Sequence, residues 1–209
     1  MTRNDLIERI LRAVYGEQPT DDSNITKSLV NNWIQDGIAA AAKLNYRDND
    51  QMTGIAFVNN SFYTTFKNIT FSQDELFTWI CTLPQIPIGI GRSEGITSFR
   101  IVDSKGVVSQ DGVPLSESQW TYFRQLPQIP NRFYYKQEND NVYVFTLLQL
   151  DVGFSGTAVM VSAGDPNDLT AVLNVPPDYI SIISDYCIEK LRQSRLVPKD
   201  ISNDGADNS

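Results

Sequence analysis

The residues able to do chemistry in this 209-residue chain are carboxylates, hydroxyls, amines and two thiols, because the sequence has no histidine. That omission removes Ser-His-Asp and Cys-His nucleophilic sites. It also removes histidine-ligated zinc, and Cys81 and Cys187 are too few for a four-cysteine site. Gly153-Phe154-Ser155-Gly156-Thr157 lacks the second glycine of the G-x-S-x-G elbow and reads as a strand connection. Gly89, Gly91 and Gly95 are spaced G-x-G-x-x-x-G with no βαβ unit around them, so they read as a β-turn rather than a dinucleotide loop. Asp48-Asn49-Asp50 opens like a calcium loop but places Thr53 at the sixth position and Asn59 at the twelfth. Asp165-Pro166-Asn167-Asp168 is similarly incomplete, and both read as solvated turns. The pairs Asp74/Glu75 and Asp185/Glu189 are the nearest to a histidine-free glycosidase. The second pair shares a helix face at i,i+4 but lies off the apolar stripe. No catalytic residue, cofactor or metal is therefore assigned, and an enzyme is not expected.

Aromatic side chains are plentiful at Phe62, Tyr63, Phe66, Phe71, Phe77, Trp79, Phe133, Tyr134, Tyr135, Tyr143 and Phe145. Such rings can stack on sugars or single strands, but a sheet core needs the same residues. A net charge of −8, without a basic stripe, argues against a nucleic-acid reader. The two cysteines read as buried thiols rather than a disulfide framework. No run of eighteen apolar residues is present, so no transmembrane helix is expected. The N-terminus continues into an amphipathic helix rather than an apolar leader, which points to intracellular synthesis.

These residues need elements to hold them. Leu6, Ile7, Ile10, Leu11 and Val14 recur at helical spacing over residues 3–15, with Gly16 as terminator. A second helix is expected over residues 23–46, with Ile25, Leu29, Trp33, Gly37, Ala40 and Leu44 as its apolar stripe. The small residues 39–42 would let another helix approach closely. Strands are expected at 54–58 and 61–66 around Asn59-Asn60, and at 75–82. Others are expected at 97–103 and 107–110 around a hairpin, 132–137 paired with 141–150, and 156–162. Residues 142–150 are apolar on both faces, so they belong at a sheet centre. Residues 118–123 are ambiguous and could form a helical turn. Leu-Pro-Gln-Ile-Pro occurs at 83–87 and again at 126–130, but the flanks do not match. The last helix, residues 178–195, follows Val175-Pro176-Pro177 and buries Tyr179, Ile182, Ile183, Tyr186, Cys187 and Leu191.

The segment from Leu173-Asn174-Val175-Pro176-Pro177-Asp178-Tyr179 through Leu191 resembles one common in tailed-phage connector proteins. There a proline and an aromatic residue lead into a closing helix that packs on the opening ones. Residues 130–135 followed by 141–145 resemble the hairpin before that helix. The order and spacing of the elements resemble the head-to-tail adaptor, or ring, proteins of podovirus-like or crAss-like bacteriophages.

The fold class expected is α+β: terminal helices forming a bundle with an inserted antiparallel β domain. The boundaries are 1–47 for the opening helices, 48–172 for the β insertion, 173–197 for the closing helix and 198–209 for a flexible tail. The resemblance implies a virion structural protein at the portal vertex, made in the bacterial host cytoplasm. It would form a homo-oligomeric, dodecameric ring between the portal protein and neighbouring tail or ring proteins. DNA would pass through without specific binding, and no membrane is involved. Arg192, Arg195, Leu196, Val197 and Ile201 are the candidate interface with the portal or a neighbouring ring. Alternatives are another tail component (tube or hub), a carbohydrate-binding module using the aromatic β lobe, or the histidine-free glycosidase.

Overall fold

A computed structural model of the chain describes residues 1–15, 26–75, 77–90, 95–109, 111–123, 132–146 and 153–196. The fold is mixed α+β. Helices α1 (Arg3–Tyr15) and α2 (Lys27–Thr53) pack with a C-terminal helix, α4 (Tyr179–Leu196), and two β-sheets lie between them in sequence. The chain divides into two compact units, Met1–Ala41 with Pro166–Ser209, and Ala42–Asp165.

In the first unit, α1 starts on a reciprocal cap. The Thr2 N–H donates to Asp5 Oδ2 at 2.8 Å, and the Asp5 N–H donates to Thr2 Oγ1 at 3.1 Å. The N–H groups of Arg3 and Asn4, unpaired within the helix, reach the carbonyls of Ala171 and Leu169 at 3.1 and 2.9 Å. Leu6, Ile7, Ile10, Leu11, Val30, Ile34, Ile38, Ala41, Ile183, Cys187 and Leu191 are buried. Each large aliphatic among them contributes about 1.5–3 kcal/mol relative to exposure.

The buried stripe of α2 is turned one residue from the expected one. Val30, Ile34, Ile38 and Ala41 face inward, whereas Leu29 and Ala40 are exposed and Trp33 is half-buried. The β-branched set is one step, about 100°, around the helix. Gly37 is common to both readings. A methyl there would lie 3.0 Å from Ile183 Cγ2 and 3.4 Å from Tyr186 Cδ1, so Gly37 is where α2 lets α4 approach. On α4, Ile183, Cys187 and Leu191 are buried, but Ile182 is exposed.

In the second unit, a three-stranded sheet has the order β1-β8-β4: β1 (Tyr63–Thr70), β4 (Ile96–Val102) and β8 (Ser155–Val161). A five-stranded sheet has the order β2-β3-β7-β6-β5: β2 (Ser72–Glu75), β3 (Thr78–Thr82), β5 (Val113–Pro114), β6 (Phe133–Glu138) and β7 (Asn141–Thr146). Strand β7, apolar on both faces, is the middle strand of the five. Only Phe71 separates β1 from β2, so the chain crosses from one sheet to the other there.

The chain returns to the three-stranded sheet between β3 and β4, and crosses again after β4. The N–H of Ser109 reaches the carbonyl of Ile101, and that of Gly112 reaches Phe99, both at 2.8 Å. β5 then pairs with β6. The two sheets share one core that includes Phe99, Phe133, Tyr135, Val142, Val144, Ala158 and Met160. Gly112 crosses directly over the rings of Phe133 and Tyr135, inside the distance a β-carbon needs.

Several expectations need correction. The β5–β6 ladder is parallel, because β5 arrives by the crossing rather than by a hairpin. Residues 48–50 lie in α2, which runs on to Thr53, so they form no turn. Residues 54–58 are extended but form no strand, and residues 107–110 contribute only a bridge from Val108 to Val102. The expected strand at 75–82 is the end of β2, a turn and β3. Residues 118–123, for which a helical turn is one expectation, do lie in a short helix, α3 (Glu117–Phe123). Gly16, Ile25, the second Leu-Pro-Gln-Ile-Pro and residues 147–150 lie outside the described residues.

Candidate functional site

The motifs with catalytic echoes are built into the scaffold. Ser155 opens β8, paired with Thr70 on one side and Val102 on the other. Gly95 has φ +91°, and a side chain there would strike the carbonyl of Ile88. Asp168 Oδ1 accepts from the Thr170 N–H, the Thr170 hydroxyl and the Ala171 N–H at 3.0, 2.7 and 3.0 Å. Its carboxyl is held below the usual range by the bonds from Thr170, then by that from Ala171 and the charge of Arg3. This is a turn-closing carboxylate. Asp74 and Glu75 are adjacent on an exposed strand, and Asp185 and Glu189 are exposed on α4. Among the described residues, no group of three or more Cys, Asp or Glu could hold a metal ion. No described helix is long and apolar enough to cross a membrane.

Of the residues assigned to an interface, Arg192 is exposed on α4, and Arg195 and Leu196 close that helix. Val197 and Ile201 lie outside the described residues. On the same helix, Lys190 Nζ sits 5.5 Å from the Tyr186 ring centroid, and Gln193 donates to Glu189 at 3.1 Å.

Three polar clusters were not singled out in the sequence. Lys136, on β6, donates to Glu117 Oε2 of α3 at 2.9 Å and to Glu138 Oε1 at 2.7 Å. Its ammonium lies 5.0 Å from the Tyr143 ring and 5.5 Å from the Trp120 ring. Burial pulls this ammonium down, but the bonds to Glu138 and Glu117 outweigh it, and the pKa is raised. A sugar seeking those two rings would meet a lysine already over them.

Arg100 grips Asp111 through Nε at 2.8 Å and Nη2 at 3.1 Å, and Ser98 also donates to Asp111. This fastens the crossing that follows β4 to that strand. Arg100 holds the Asp111 carboxyl low; burial opposes the shift and Ser98 adds to it.

The third cluster is a polar ladder on α2. Asn45, Asn49 and Thr53 recur at i,i+4,i+8 and therefore share a face. Asn45 Oδ1 accepts from the Asn59 N–H at 2.8 Å. Asn49 Nδ2 donates to the Phe57 carbonyl at 3.0 Å, and Thr53 Oγ1 accepts from the Ile55 N–H at 3.2 Å. Residues 54–59 are thus laid along the end of the helix instead of entering a sheet. The period-4 spacing was the one signal of this, but in sequence it looks like an ordinary solvated helix face.

No protein-family model matches this sequence, and no curated protein matches it as a relative.

Proposed function

We propose that this chain is a virion structural protein, a subunit of the adaptor ring that joins portal to tail in a podovirus-like or crAss-like phage and lines the DNA channel. The observation that carries the reading is the order of the fold. Two opening helices and one closing helix pack together, and the β-sheets are inserted between them, as the resemblance requires. Pro176 and Pro177 lead into the closing helix: their carbonyls accept from the N–H groups of Tyr179 and Ile180 at 3.0 and 3.3 Å.

A ring subunit needs rigid elements and two different, mutually complementary surfaces, and such head-to-tail contacts repeated by rotation close into a ring. The net charge of −8 supports a channel that phosphates do not stick to. In this reading the protein performs no catalysis and binds no DNA sequence. The end of α4 and the residues after it, through Arg192, Arg195, Leu196, Val197 and Ile201, dock on the portal or a neighbouring ring. Co-sedimentation of the full chain with its cognate portal tests this. The expected result is a complex of fixed stoichiometry that deletion of residues 196–209 weakens. Failure to co-sediment at micromolar concentration would remove the adaptor reading.

A further inference from the structure

We propose that residues 111–123 form a strap that closes the outer edge of β6 and opens as one unit, ahead of the two sheets it spans. The proposal stands apart from the ring reading and rests on how the segment is held.

Strand β6 lies between β7 and β5. On the outer side β5 supplies only the pairs Val113–Tyr134 and Pro114–Tyr135. Beside this short ladder, the Leu115 N–H bonds to the Tyr135 carbonyl and the Gly112 N–H to the Phe99 carbonyl of β4, both at 2.8 Å. The same segment therefore closes the edge of one sheet and is tied to the other. It also carries two ion pairs, one at its start and one where α3 begins. Asp111 meets Arg100 at 2.8 Å, and Glu117 meets Lys136 at 2.9 Å.

Little else holds the segment down. Of residues 111–122, Trp120 alone is buried, whereas Phe133, Tyr134 and Tyr135 of β6 and Val142 and Val144 of β7 are all buried. The Asp111 side chain is 50% exposed and that of Glu117 71%, and ion pairs so open to water are individually weak. A segment with one buried side chain and exposed polar ties opens at lower cost than the core it covers. The ties are also close enough to fail together. Gly112 and Leu115 flank the two residues of β5, and a two-residue ladder is too short to persist once either flank is lost. Opening lifts Gly112 from the rings of Phe133 and Tyr135 and bares the β6 edge. Covering an edge is one way a sheet avoids pairing with a stray strand, and here the cover is removable.

Native-state hydrogen exchange of the full chain, read amide by amide, tests this. In the wild type, Gly112, Leu115 and Trp120 are expected to share one opening, exchanging at least about a hundredfold faster than Val142 and Val144. Asp111→Asn is expected to speed exchange about threefold or more at Trp120, the far end of the strap, and Glu117→Gln to do the same at Gly112. Val142 and Val144 are expected to keep their rates in both variants. Exchange of Gly112 and Leu115 at the rate of Val144 overturns the proposal, because the segment then opens only with the sheets. Acceleration confined to the end that carries the substitution also overturns it, because the segment is then not one unit. The wild-type comparison decides alone if either variant misfolds.

Discussion

At the residue scale, Arg3 is 1% exposed although it lies in the first turn of α1. Its Nη1 donates to Asn31 Oδ1 at 2.9 Å, and Asn31 in turn donates to the Pro166 carbonyl at 2.7 Å. Asn31→Ala strips acceptors and donors from a buried network and is expected to cost about 1–3 kcal/mol in chemical denaturation. An unchanged midpoint would show that water replaces the amide. Burial pushes both the Cys81 and Cys187 thiols up to about 12, with Asp36 adding to the effect at Cys187. Native protein should therefore react slowly with a thiol reagent at neutral pH and titrate two thiols once unfolded. Fast labelling of either cysteine in the native state would contradict this burial. Asp5, Asp111 and Asp168 all have carboxyls held below 3.8, by Thr2, Arg100 and Thr170 respectively. Their contribution to stability is complete above that value and lost as pH falls through the lowered folded-state values. Thermal melts should thus be flat from about pH 5 to 8 and fall below about pH 4. A transition near pH 6.5 would contradict the account, since the chain has no histidine to produce one. Buried cysteines and the absence of histidine chemistry were legible in the sequence. Arg3 was not, because an arginine beside a helix start reads as solvent-facing until the carbonyls of residues 166–171 are known to pack there.

At the scale of elements, α1, α4, the existence of α2 and most strands follow from periodicity, whereas the buried stripe and the end of α2 and the segment after it do not. Residues 54–58 have strand-like composition, yet the Asn45–Asn49–Thr53 ladder captures their backbone and keeps them out of a sheet. That competition between side-chain and strand hydrogen bonding cannot be seen in a local window. The parallel β5 was equally hidden, since Val113–Pro114 is too short to show alternation. The crossing that carries it depends on Gly112. Gly112→Ala should drive a methyl into Phe133 and lower stability by about 1–3 kcal/mol. Thermal denaturation checks this, with Gly89→Ala as a control because a methyl at Gly89 would meet nothing within 4 Å. Lys136 fastens α3 to the sheet. Lys136→Met keeps the apolar stem but loses both carboxylate bonds, and should shift Trp120 fluorescence while lowering the melting temperature. No change in either quantity would mean that α3 is held by Trp120 burial alone.

At the scale of the molecule, packed helices are interrupted in sequence by two β-sheets, and no group of three or more Cys, Asp or Glu among the described residues could hold a metal ion. The α+β class and the insertion were readable from the switch between period 3.6 and period 2 after α2. The proposed docking segment at Arg192 and the end of α4 was named from the sequence, whereas the exposure of Met52, Ile55 and Phe57 depends on a ladder that only the folded chain reveals. The central proposal is that copies of this chain close into a ring. Electron micrographs of the full chain, alone and with its cognate portal, test that claim most directly. The account predicts closed rings with rotational symmetry and a central opening, seated coaxially on the portal. Monomers, closed pairs or open filaments under every condition, with the portal left bare, would contradict it.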